Sequence, residues 1–127
     1  MATISNTRDP RVETAIAHWA PRFVANGVPL TDFQEVTGAI ERWDDWCRAW
    51  SERARVHETL GTEALAAGCT FSAGEHLTRA GVCYHFAKFV FVHDYAQMRA
   101  AHQKAIACRR AALPHDLTSD TDFFVIC

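Results

Sequence analysis

The chain has 127 residues, of which 49% are hydrophobic and 22% are charged, a composition that is typical of one folded domain and excludes a disordered chain. Its 13 basic and 15 acidic residues give a formal charge of -2, and no basic block extends beyond Arg109 and Arg110, which argues against nucleic-acid binding. No apolar run is long enough to span a bilayer and the N-terminus lacks a signal-peptide pattern, so we expect a cytoplasmic protein.

The first predicted element is a helix that begins at Pro10 and ends just before Gly27. Asp9 is the expected N-cap, proline suits the first helical position, and Gly27 supplies a left-handed exit. Pro21 lies inside the helix and is expected to kink it or to start a second short turn. The apolar residues at helical spacing are Val12, Ile16, Trp19 and Phe23. Residues 1–8 are predicted to form a disordered tail.

A single long helix is predicted next, because apolar residues follow one another at spacings of three and four. Thr31 and Gln34 form a possible capping box at its start, and Gly68 is a suitable stop. The apolar stripe consists of Phe33, Val36, Ile40, Trp43, Cys47, Trp50, Ala54 and His57. Trp46 lies beside the stripe, so this helix carries enough aromatic area to need packing partners on more than one side.

Two further helices complete the prediction. Ser72 and Glu75 form a second possible capping box, opening a helix that continues to about Phe91 and is apolar nearly all round, as expected of a central helix. Asp94 can cap a last helix that ends before Pro114. We therefore predict an all-α fold of four to five helices in a bundle of αα-hairpins, with a short non-helical C-terminal tail.

One pair of helices has the spacing of a tetratricopeptide hairpin. The residues at its packing positions are Leu60, Gly61, Ala64, Ala73, Leu77 and Ala80. One repeat length further on, at Asp94 and Tyr95, the pattern fails, which favours a single αα-hairpin over a repeat array. A free-standing, tetratricopeptide-like interaction module is therefore an alternative function.

The C-terminal segment differs from the rest of the chain. The stretch 116–127 is a polar linker rich in Asp, Ser and Thr that leads into the apolar sequence FFVIC. An apolar pentamer of this kind is typical of a strand without its sheet. We expect residues 9–115 to form the helical domain and 116–127 to be a divergent linker or tail, which points to truncation or divergence of a longer protein.

The sequence contains no catalytic motif. A G-x-S-x-G elbow is absent, since the nearest approach, GCTFSAG, has Ser72 at the wrong spacing. Seven histidines form no H-x-x-x-H or E-x-x-H pair and five cysteines form no C-x-x-C, so no metal and no cofactor is expected. Glu41 and Asp45 lie beside Arg42 and Arg48, which favours a solvated face with ion pairs.

The segment GVCYHFAKFVFVHDY, residues 81–95, places polar side chains among aromatic rings. It is either a core helix whose polar tips reach solvent or the wall of a pocket or domain interface, where Lys88 is expected to snorkel or pair. Phe86 and Phe89 lie on the side of the helix away from Tyr84 and Lys88, so on the second interpretation they face the bundle core and the other two face the partner. The candidate residues of the pocket or interface are Tyr84, His85, Lys88, His93 and Trp46.

Three segments carry a resemblance to a known family: ERWDDW, SAGEHL and YHFAKFVF. The resemblance covers residues from about 9 to 115 and is most specific at these three segments. This region resembles the N-terminal helical cap region of the α/β-hydrolases related to 2,6-dihydroxypseudooxynicotine hydrolase. Members of that family hydrolyse a C–C bond next to a ketone in bacterial nicotine degradation. The resemblance implies that this chain covers the active site of a hydrolase domain.

The resemblance places no catalytic residue on this chain, because the family's serine, aspartate and histidine belong to the hydrolase domain. We therefore expect the chain to be inactive alone. The partners that the resemblance implies are an α/β-hydrolase domain or a small aromatic or ketone substrate. A homodimer through an exposed apolar face and a non-functional fragment of a truncated hydrolase gene are further alternatives.

Overall fold

The computed structural model describes residues 8–115, which form five α-helices and contain no strand. The helices are α1 (Pro10–Ala25), α2 (Leu30–Gly38), α3 (Trp46–Ala66), α4 (Thr70–Ala87) and α5 (Tyr95–Ala112). Short 3₁₀ turns precede α3 and follow α5. The predicted all-α fold is confirmed, whereas the predicted tail at 116–127 and residues 1–7 lie outside the described part of the chain. None of the five helices is both long and apolar enough to cross a membrane.

The start and end of α1 follow the sequence signals. Pro10 is the first residue of the helix, and the Asp9 carboxylate accepts a hydrogen bond from the Arg11 N–H at 2.9 Å. After the helix, Gly27 has a φ of 108°, the left-handed conformation that glycine adopts without steric cost. The helix runs past Pro21 as one assigned element, so the second short turn considered there does not form.

The single long helix predicted between Thr31 and Gly68 is wrong, because α2 ends at Gly38 and a turn precedes α3. The break depends on the start of α1. The Asp9 N–H donates to the Glu41 carbonyl at 2.7 Å, and the Asp9 carboxylate accepts from the Trp43 N–H at 3.1 Å. These contacts satisfy backbone groups that a continuous helix would bond internally, so the chain can turn without leaving them unpaired.

Both predicted capping boxes are wrong. Thr31 and Ser72 lie inside the first turns of α2 and α4, and the capping residues are Pro29 and Cys69, neither of which makes a side-chain cap. The connection before α4 is tight, since the Cys69 N–H donates to the Ala64 carbonyl at 2.9 Å. The geometry of this turn, and not a serine side chain, therefore determines where α4 begins.

The helices α3 and α4 form the αα-hairpin predicted between residues 60 and 80. Gly61 is buried at their contact, and a Cβ atom there would lie 2.7 Å from Leu77 Cγ. The helix continues through this glycine to its end at Ala66, and the missing side chain permits the close approach of the two helices. Gly68, with a φ of 81°, then supplies the left-handed turn into α4.

The core is an aromatic cluster between α1, α3 and α4. Phe23 stacks on Phe86 with ring centroids 3.8 Å apart, and Trp46 and Trp50 pack around the pair. The Trp46 Nε1–H donates to the Phe86 carbonyl at 3.1 Å. That carbonyl belongs to the last turn of α4 and also accepts from the Phe89 N–H at 3.2 Å, so the tryptophan adds a second bond at the helix end. As predicted, α4 is central, with α3 and α5 packed against it.

Candidate functional site

The five candidate residues do not form one site. Trp46 and Tyr84 are each only 1% exposed and belong to the core. His93 lies in the loop after α4 and lines a different surface from the other four. His85 and Lys88 remain, and they line a common groove. The structure therefore brings together two of the five.

The groove lies between α4 and α5 and has a volume of about 600 Å³. Its apolar lining consists of Gly81, Val82, Ala105 and Ile106. Its basic side chains are His85, Lys88, His102, Arg109 and Arg110. No carboxylate from the described part of the chain lines it. We call this feature the α4–α5 groove; its composition suits an apolar molecule that carries a negative or strongly polarised oxygen.

Lys88 and His102 contact each other across this groove. The Lys88 Nζ lies 2.8 Å from the His102 Nδ1. Because an ammonium group has only donors, the Nδ1 atom accepts, and a neutral His102 carries its proton on Nε2. Within residues 8–115, no carboxylate forms an ion pair with Lys88, so its positive charge is not compensated. The groove therefore has a positive potential at this point.

His85 lies one helical turn before Lys88 and contributes a neutral imidazole. Burial lowers the pKa of His85, and the positive charges of Lys88 and Arg22 lower it further. The ring is therefore uncharged at neutral pH and can donate one hydrogen bond and accept another. With Lys88 beside it, His85 can orient a carbonyl or phenolate oxygen.

Tyr84 belongs to a different network, which ties α3, α4 and α5 together. Its hydroxyl donates to Glu58 Oε1 at 2.7 Å, and the Lys104 Nζ donates to Glu58 Oε2 at 2.8 Å. Burial acts to raise the pKa of Glu58, but the hydrogen bonds from Lys104 and Tyr84 outweigh it, and this pKa lies below its ordinary value. Burial raises the pKa of Tyr84 well above its ordinary range, so its hydroxyl stays a donor. The expectation that Tyr84 shares a pocket wall with Lys88 is corrected.

The loop after α4 exposes apolar side chains, and Val90 and Val92 line the same surface as His93. Val90 and Val92 are 53% and 74% exposed, and Tyr95, at the start of α5, is also exposed and lines a cleft that includes His85 and Lys88. Val90 has a φ of 51°, a left-handed conformation that is rare for a β-branched residue. Such strain and exposure are typical of segments that contact a partner.

His93 belongs to the same loop but has its own partner. Its Nε2 lies 2.9 Å from a carboxylate oxygen of Asp44, and both side chains are at the surface. An exposed contact of this kind contributes little to stability. His93 therefore contacts the segment before α3 and does not line the α4–α5 groove.

The groove contains groups that can bind and polarise an oxygen atom, which supports a binding surface. Comparisons of the chain with protein-family models, with curated proteins and with solved structures found no match. The relation to the α/β-hydrolases therefore stays a prediction that rests on the sequence segments named above.

Proposed function

We propose that this chain is the helical cap region of an α/β-hydrolase resembling the C–C bond hydrolases of nicotine degradation, and that the α4–α5 groove is its substrate-facing surface. The observation that carries the proposal is the groove, in which an uncompensated Lys88 and a neutral His85 stand beside an apolar lining. In this proposal the catalytic residues belong to the hydrolase domain, and the cap supplies binding.

The chemistry of the groove suits a ketone that is cleaved beside its carbonyl. Hydrolysis of such a bond places negative charge on the carbonyl oxygen in the transition state. An ammonium group that is not paired with a carboxylate can stabilise that charge, and Lys88 meets this condition within the described residues. The apolar lining provided by Val82 and Ile106 would accommodate an aromatic ring.

The exposed loop supports a partner domain at this end of the molecule. Val90, Val92 and Tyr95 leave large apolar surfaces in water, and a partner that covers them gains about 25 cal/mol for each Å² removed from water. Contacts with the partner would also hold the strained backbone at Val90. We therefore assign the loop to the domain junction.

The second candidate is a free-standing interaction module of the tetratricopeptide type. Its supporting observation lies on a different surface, since α3 exposes Val56, Leu60 and Leu65. The first two are one helical turn apart and form a short apolar row. The two proposed functions therefore place the partner on different helices, which makes them separable by mutation.

The test uses an α/β-hydrolase of the family that this chain resembles, produced without its own N-terminal helical region. This hydrolase domain is mixed with the purified chain. Complex formation is measured by analytical ultracentrifugation, and activity by hydrolysis of an aromatic ketone. We expect a complex that hydrolyses the ketone, whereas neither part does so alone. The absence of a complex with the wild-type chain would contradict the cap proposal.

Two matched variants separate the candidates. Val92→Asp places a charge on the α4–α5 loop, and Leu60→Asp places the same charge on the exposed face of α3. The cap proposal predicts that Val92→Asp abolishes the complex and that Leu60→Asp leaves it intact. Loss of binding with Leu60→Asp alone would favour the interaction module.

A further inference from the structure

A second cluster of polar side chains is buried where α2, α3 and α4 meet. It consists of Asp32 from α2, His57 from α3 and Cys83 from α4, and none of the three lines the α4–α5 groove. One potential ligand atom from each residue lies within 4.8 Å of those of the other two. In the described part of the chain, this is the one group of three or more such residues that comes so close.

An ion-pair network holds Asp32 in place. One carboxylate oxygen lies 2.6 Å from the His57 Nε2, and the other accepts from the Arg53 guanidinium at 2.6 Å. Arg53 also donates to Glu35 at 2.8 Å. Arg53 and Glu35 thus balance each other's charge and leave the Asp32 carboxylate oriented toward the cluster.

This network does not account for the whole cluster. The His57 Nδ1 is buried and has no hydrogen-bond partner among residues 8–115. The other ring nitrogen, Nε2, lies beside the Asp32 carboxylate and is the atom placed to bind a metal with it, and imidazole nitrogen is the commonest protein ligand for metals. The thiol of Cys83, which is fully buried, lies beside the same ring. A purely structural tie between Asp32 and His57 does not require this thiol.

We propose that Asp32, His57 and Cys83 form a zinc site, with one coordination position left for water. The set of one carboxylate oxygen, one imidazole nitrogen and one thiolate sulfur matches the ligands that Zn²⁺ takes in proteins. The thiolate and the Asp32 carboxylate neutralise the two positive charges of the ion. Arg53 stays on the second oxygen of Asp32, as outer hydrogen-bond partners of metal ligands do.

The site requires only small movements of side chains. Zinc binds its ligands at about 2.0–2.3 Å, which places neighbouring donors of a tetrahedral site roughly 3.3–3.8 Å apart. The present separations of up to 4.8 Å must shorten, while the 2.6 Å contact between His57 and Asp32 must open. Arg53, which bonds Asp32, is partly exposed to solvent.

Binding displaces one proton. Burial, with a smaller contribution from the negative charge of Asp32, raises the pKa of the Cys83 thiol to about 12, so the metal-free thiol is protonated. Formation of the zinc–sulfur bond breaks the S–H bond and releases the proton to solvent. The affinity for zinc therefore increases with pH.

The experiment uses the full chain, freed of metal and kept reduced, with Co²⁺ as a spectroscopic substitute for Zn²⁺. We expect one equivalent of Co²⁺ to produce a thiolate-to-metal charge-transfer band together with the visible bands of a tetrahedral ion, and Zn²⁺ to displace it. Cys83→Ala should remove the charge-transfer band and weaken Zn²⁺ binding by more than about 100-fold. The matched control is Cys108→Ala, which removes another buried thiol and should leave both unchanged.

Other outcomes overturn the proposal. These are the absence of the band in the wild-type chain, its survival in Cys83→Ala, or its loss in Cys108→Ala. If circular dichroism shows that Cys83→Ala does not fold, a measurement on the wild-type chain decides the question. Zinc must then raise the unfolding midpoint in proportion to the logarithm of its concentration, and no rise overturns the proposal.

Discussion

One side of α4 is packed into an aromatic core and the other lines an open groove. Phe86 stacks on Phe23 and is only 1% exposed, whereas its neighbour in the chain, His85, lines the α4–α5 groove together with Lys88. Consecutive helical residues point about 100° apart, so one helix can separate two environments. The comparison teaches that a helix that is apolar nearly all round packs against more than one other element. Its polar residues, here His85 and Lys88, mark the side that other helices do not fully cover.

The largest expected effect is on the packed side. Phe86→Ala should lower the free energy of unfolding by about 3–5 kcal/mol, because the stacked ring is lost and a cavity remains against Phe23. Urea unfolding of the variant and the wild-type chain measures this difference. As a control, Val92→Ala removes an exposed side chain and should change stability by less than about 0.5 kcal/mol. Similar losses in both would show that the α4–α5 loop is packed.

The Glu58 network predicts an acid-sensitive contribution. Burial opposes ionisation of Glu58, but the bonds from Lys104 and Tyr84 lower its pKa in the folded state. Its contribution to stability is therefore present above the unfolded pKa of about 4.3 and is lost as the pH falls through the lower folded pKa. Glu58→Gln should cost about 1–3 kcal/mol at pH 7, because both donors lose their charged partner. The cost should shrink at acidic pH, and a cost that does not change with pH would contradict the assignment.

Two lysine variants compare how much the α4–α5 groove and the Glu58 network each contribute to stability. Lys88→Ala should change the free energy of unfolding by well under about 1 kcal/mol or raise it slightly, because Lys88 contacts His102 and has no described carboxylate partner. Lys104→Ala should lower it, because Lys104 pairs with Glu58 at 2.8 Å. Denaturant unfolding of both variants makes the comparison. Equal losses would identify Lys88 as a structural residue and would argue against the groove as a binding surface.

The smallest effect is expected in the α4–α5 loop. Val90→Gly should raise the free energy of unfolding by up to about 1 kcal/mol, because relief of the left-handed strain exceeds the added flexibility of the unfolded chain. Val92→Gly, two residues away and without a positive φ, should lower it instead. Thermal unfolding measures the stability of both variants against the wild-type chain. A loss of stability in Val90→Gly would show that the strain at this residue is not significant.

Local chemistry predicted most of the fold. Asp9, Pro10 and Asp94 set helix starts, and the left-handed glycines Gly27 and Gly68 follow helix ends as expected. The prediction of one long helix was wrong because the apolar spacing continues across the break, while the cause of the break is a tertiary contact from Asp9. A periodic pattern records which residues are buried and does not record an interruption between them.

The candidate site was only partly predictable. His85 and Lys88 were among the predicted residues, but His102 was not, because nothing near it in sequence shows that its face of α5 opposes Lys88. The available signal was weak: His102, Ala105 and Arg109 recur at spacings of three and four, as residues on one helix face do. The cluster of Asp32, His57 and Cys83 could not be predicted from the sequence for the same reason. Its members come from three helices, whereas the test for ligand pairs considered single helices.

The most direct test of the two-sided account of α4 is hydrogen exchange, measured on the full chain with and without the separately produced α/β-hydrolase domain. Amide exchange depends on local opening, so a partner that covers a segment slows its exchange. The account predicts slower exchange over residues 85–99, which include the exposed loop and the groove residues His85 and Lys88, and unchanged exchange over residues 52–60 of α3. Unchanged exchange at 85–99, or protection confined to 52–60, would contradict it.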